Sequence, residues 1–191
     1  MPAERDHAEN PHEDRIRPAI PRCRRGDAVA HGTAARGTHR GGFENVATHI
    51  NSGNAVFRSH LPRERVIAAV AGICKDRFGF TKAILAPTLE EWSTLIGNNP
   101  FPHAVATPKF LHAAVLAGKP AEEAVTRLQG FAADGEKIEV VGNVAHPYTP
   151  DGFGRSKLAE KFDRGIRVVH AARNWNTVLK LMALERKAAE G

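Results

Sequence analysis

Cysteine, tyrosine and tryptophan are nearly missing from this chain, which has two Cys, one Tyr and two Trp in 191 residues. Cys23 and Cys74 stand in no CxxC or other metal-ligand spacing, so neither a zinc cluster nor a dithiol motif can be built on them. The ten histidines show no helical i,i+4 pairing, and metal binding has no support. No apolar run approaches the roughly 18 residues of a membrane span, and a signal-peptide core is absent. These gaps point to a cytoplasmic protein without a membrane partner.

Charge is modest as well. The net charge of +6 raises the expectation of phosphate-bearing partners only a little. Aromatics make up 6% of the residues, and none is interleaved with a basic stripe as in many nucleic-acid binders. The length suits one ordinary domain or two small ones with a real core.

Residues 1–42 contain no Leu, no Lys and no aromatic residue. No periodicity fits them, and they cannot bury enough apolar surface to offset their ordering entropy. We expect a disordered or non-native arm there. From Phe43 the pattern changes. Val46–Ile50 and Ala55–Ser59 surround Asn51-Ser52-Gly53-Asn54 and read as a hairpin. Pro62–Phe78 has an apolar stripe of Val66, Ile67, Val70, Ile73 and Cys74 and stops at Gly79, as a helix does. Thr81–Ala86 reads as a strand closed by Pro87.

Thr88 and Glu91 form a capping box for a short helix carrying Leu89, Trp92, Leu95 and Ile96. Asn98–Pro108 is a proline-rich connector. The second half then reads strand Lys109–Leu116, a helix opened by Pro120, strands Lys137–Val141 and Val144–Tyr148, helix Arg155–Arg164 and strand Arg167–Ala171. A last helix runs from Trp175 to about Lys187. That order is βαββαβ plus a helix, an α+β ferredoxin-like pattern. The first half gives only ββαβ, the same unit without its opening strand and helix. The division is therefore an arm (1–42), a partial first unit (43–87), a linker helix and connector (88–108), and a second unit with its C-terminal helix (109–191).

The strings GFENVATHINSGNAVFRS, NPFP, GFGRSKL and RNWNTVLKL, in this order, resemble a bacterial family known only as domain of unknown function 1697. The resemblance covers residues 43 to about 184 and implies two tandem ferredoxin-like halves. It implies no reaction. Family members begin with a strand and a helix ahead of the segment matching Glu44-Asn45-Val46, where this chain has Gly26–Gly42 instead. With suitable codons, a one-base shift turns that stretch into an amphipathic helix. A shifted reading frame is thus the leading account of the arm; a genuine basic tail is the other.

GFGRSKL and RNWN carry the candidate ligand site. Gly152 and Gly154 open backbone conformations and close approach. Ser156 can cap a helix whose free N–H groups attract anions. Arg155 offers a bidentate fork and Lys157 a mobile charge. Arg173, Asn174 and Asn176 should open toward the same end of the second sheet. The same residues also make two ordinary helix starts, with Trp175 as a packing anchor. The order differs from a Walker A loop.

The nearby groups able to move protons are His146, Tyr148, Asp151 and His170, and no spacing among them names a mechanism. His49 and Ser52, near the hairpin turn, read as surface or packing residues. No cofactor is indicated. The favoured reading is a binding protein for a phosphate-bearing small molecule or nucleotide at Gly152–Leu158. The alternatives are a nucleic-acid module using an open sheet face, and an enzyme acting on a phosphorylated substrate.

Overall fold

The structure, a computed structural model, describes residues 43–49 and 53–190. The expected arm and Ser52 of the hairpin turn lie outside the described residues. Along the chain run β1 (Glu44–His49), β2 (Asn54–Arg58), α1 (Arg63–Phe78), α2 (Leu89–Gly97), β3 (His112–Leu116), α3 (Glu122–Gln129), β4 (Lys137–Val141), β5 (Val144–Tyr148), α4 (Lys157–Gly165), β6 (His170–Asn174) and α5 (Trp175–Glu190). The result is an α+β protein with a two-stranded and a four-stranded sheet among the described residues.

β1 and β2 pair antiparallel, with a bulge between Glu44 and Ala47. Asn45 sits in that bulge at φ 50°, a conformation Asn tolerates better than most residues. Because strand side chains alternate, Ala55 and Phe57 face α1 while Val56 faces the opposite core. The α1 stripe buries Val66, Val70 and Cys74, and the Cys74 thiol is a buried core group as its position suggested. Gly79, at φ 66°, ends the helix and donates to Lys75 O at 3.1 Å. The capping box forms in full: Glu91 N donates to Thr88 Oγ1 at 3.1 Å, and Thr88 N to Glu91 Oε2 at 2.8 Å.

One expected strand does not form among the described residues. In Thr81–Ala86 only Leu85 makes a bridge. Ile84 and Ala86 keep the inward alternation of a strand and are buried, but no described strand lies beside them to supply a ladder.

The second sheet has the order β4-β5-β3-β6, with every neighbouring pair antiparallel. One face, bearing Ala114, Leu116, Ile138 and Ala145, packs on Leu128 of α3 and on Leu158 and Phe162 of α4. The other face is also covered. Its Ala113, Val115, Val144 and Tyr148 join a core with Trp92 and Leu95 of α2 and Trp175, Val178, Leu181 and Met182 of α5. Val56 of β2 completes that core.

Two strand boundaries differ from the sequence pattern. Pro108–Phe110 forms a 3-10 turn, so β3 starts at His112 rather than Lys109. β6 is shifted by three residues: Arg167, at φ 56°, prolongs the turn after α4, and the ladder runs from His170 to Asn174. β-branched Val168 and Val169 suggested the earlier position. Val169 is instead 52% exposed, and it contributes its carbonyl to Ala117 N.

Candidate functional site

β5 leads into the first motif through a tightly bonded turn. Thr149 is buried, and its N–H donates to Phe110 O at 2.9 Å. Gly152 N donates back to Thr149 O at 2.9 Å with φ 105°, a backbone state that strongly favours glycine. Gly154 needs no such state, and open space surrounds the position of an added Cβ. Phe153–Arg155 makes one 3-10 turn, so α4 begins at Lys157 rather than at Arg155.

Ser156 is the N-cap, as expected. Its Oγ accepts from Ala159 N at 3.0 Å. The Lys157 and Leu158 N–H groups have no acceptor among the described residues, as first-turn amides of a helix commonly do not. Arg155 and Lys157 are exposed, and neither forms an ion pair among the described residues.

The second motif lies at the same end of the sheet. Asn174 pairs in register with His112, and the His112 ring stacks on Phe153 with centroids 3.9 Å apart. Asn174 is exposed and its Oδ1 accepts from Thr177 N at 2.9 Å, capping α5. Asn176 is exposed in the first turn of α5. His112 is a neighbour that sequence reasoning missed, because only the β3–β6 pairing brings it to the turn.

Arg173 does not join this group. β6 extends through Asn174, so Arg173 and Asn174 face opposite sides of the sheet. Arg173 is buried, with Nε donating to Asn54 Oδ1 at 2.8 Å and Nη1 to Ala172 O at 2.7 Å. Its guanidinium ties β6 to β2.

The four candidate proton carriers are dispersed. His170 lies against Phe162 of α4 and contacts Asp163 at 3.2 Å, on the face covered by α3 and α4. His146 is on the opposite face, 6.3 Å from the Trp175 ring. Burial lowers its pKa from the ordinary 6.5 to about 4, so its imidazole is neutral. Tyr148 stacks on Phe101 at 5.5 Å, and Asp151 is exposed at the turn. No acid–base pair is assembled from them. Among the described residues no helix is long and apolar enough to cross a membrane.

An α+β chain with a four-stranded antiparallel sheet covered on both faces is thus the class of protein that fold and site define. The family model described as protein of unknown function (DUF1697) matches residues 34–146. The chain belongs to that family. The matched stretch ends at His146, so GFGRSKL and RNWN lie beyond it. The structure is similar to that of the conserved bacterial protein SP0830 from Streptococcus pneumoniae, with a TM-score of 0.70 at 14% sequence identity. That match covers 91% of this chain and 98% of the other. No curated protein matches the sequence.

Proposed function

We propose that the protein binds an anionic small molecule, a phosphate-bearing metabolite or nucleotide, at the Gly152–Leu158 turn. The observation that carries this reading is the pair of exposed cations, Arg155 and Lys157, on either side of a capped helix start. The free Lys157 and Leu158 amides and the positive end of the α4 dipole add to their pull. Gly152 and Gly154 leave the main chain open to approach. Asn174 and Asn176, at the same end of the sheet, are side-chain amides available to the rest of the ligand.

In this reading the chain is cytoplasmic and is built from a partial first ferredoxin-like unit, 43–87, which lacks the opening strand and helix, and a second unit with its C-terminal helix, 109–191, joined through 88–108. The second half supports that description with its strand order, β4-β5-β3-β6.

A nucleic-acid module has less support. The sheet face on which bases would stack is packed against α2 and α5. An enzyme acting on a phosphorylated substrate has less support as well, because His146, Tyr148, Asp151 and His170 are dispersed.

Calorimetric titration with inorganic phosphate, nucleotides and sugar phosphates tests the proposal. The parent should bind at least one of them, and an Arg155→Ala, Lys157→Ala double variant should bind it at least tenfold more weakly. Loss of one charge-assisted contact costs about 1.5–3 kcal/mol. Unchanged affinity in the double variant would rule the turn out.

A further inference from the structure

A cavity of about 590 Å³ opens between α2 and the β4–β5 hairpin, a volume typical of small-molecule sites. It reaches Ala117 after β3 and Gly142-Asn143 between β4 and β5. This is the end of the second sheet opposite the Gly152 turn. Ile84, Leu95, Val115 and Val144 supply apolar lining.

His146 also lines the cavity. It is 1% exposed, and neither Nδ1 nor Nε2 has a hydrogen-bond partner among the described residues. A neutral imidazole has one N–H to donate and one lone pair to accept with, and buried polar groups are almost always bonded. Of the three Arg, Lys, Asp or Glu residues among the described lining, Arg63 and Glu91 pair with each other, and Glu90 is an exposed carboxylate. Arg63, the one Arg or Lys among the described lining residues, donates to Glu91 at 2.8 Å, and the other Glu91 oxygen holds the Thr88 N–H. Among the described residues the cavity therefore offers no free cation to an anion.

We propose that this cavity binds a neutral small molecule with an apolar, ring-sized body and one hydroxyl group, seated with the hydroxyl on the His146 ring. A hydroxyl both donates and accepts, so it suits either nitrogen in either tautomer. The apolar body is buried against Ile84, Leu95, Val115 and Val144. Burial keeps His146 uncharged at neutral pH, and it thus presents a hydrogen-bonding group without a charge for the ligand to neutralise.

The full chain is titrated with p-cresol and with toluene, which has the same ring without the hydroxyl. Binding is followed by the ring 15N resonances of His146 and by tryptophan emission, since Trp92 lines the cavity. The expected result is a shift of the His146 resonances with p-cresol and about tenfold tighter binding of p-cresol than of toluene. His146→Phe should still bind toluene and lose the preference. His146 resonances unmoved by p-cresol, or a preference that persists in His146→Phe, would overturn the proposal. The resonance measurement on the parent stands even if the variant does not fold. Inorganic phosphate, the probe of the Gly152 turn, should leave these resonances in place.

Discussion

Arg173 Nε donates to Asn54 Oδ1 at 2.8 Å, joining β6 to β2 across 119 positions of sequence. Both residues are buried. The bond satisfies a charged donor deep between the two sheets, where an unmet guanidinium N–H is expensive. Asn54→Ala should therefore destabilise the protein by about 1.5–3 kcal/mol. Urea denaturation checks this, and a variant as stable as the parent would show that the contact adds nothing.

Trp175 opens α5 and is 1% exposed. Its Nε1 has no hydrogen-bond partner among the described residues, so its expected role is packing. Trp175→Ala should cost about 3–5 kcal/mol. Trp175→Phe, which forfeits no hydrogen bond and keeps a ring, should cost clearly less. Equal melting temperatures for Trp175→Ala and the parent would contradict the packing role.

Stability should depend on pH through His146. Its folded pKa is lowered from 6.5 to about 4 by burial. Between those values the unfolded chain takes up a proton that the folded chain refuses. Unfolding is then favoured as pH falls, and above about pH 6.5 the group contributes no slope. The loss across the window should be roughly 3 kcal/mol. Carboxylates titrate at the lower end too, so the comparison is with His146→Phe, whose stability should fall less between pH 6.5 and 4. Parallel profiles for the two proteins would refute the assignment.

What the sequence made legible follows from how local each feature is. The Thr88–Glu91 box, the Gly79 stop and the Ser156 cap each depend on a few neighbouring residues, and each forms as read. The position of β6 was not legible. Val168-Val169 has the stronger strand propensity, yet pairing with β3 selects His170–Asn174. That shift of three residues also explains Arg173. Read as part of a turn, it belonged with Arg155 and Lys157; placed inside a strand, it faces Asn54 on the other side of the sheet. The His112–Phe153 stack was out of reach for the same reason, since it depends on which strands become neighbours.

β2 serves two cores through adjacent residues, and that arrangement yields a last prediction. Phe57 packs with Val66, Val70 and Cys74 of α1 and lies 4.4 Å from the Phe43 ring. Val56 points the other way, into the core containing Trp92, Trp175, Val178 and Leu181. Phe57→Ala should be the costlier change, at about 3–5 kcal/mol, against about 2 kcal/mol for the two methyl groups lost in Val56→Ala. Tryptophan emission should report the reverse order, because both tryptophans of the chain lie in the core that Val56 enters. Under native conditions Val56→Ala should shift that emission and Phe57→Ala should leave it near the parental value. An equal shift in both variants would mean that the two cores respond as one, and that β2 transmits strain between them instead of separating them.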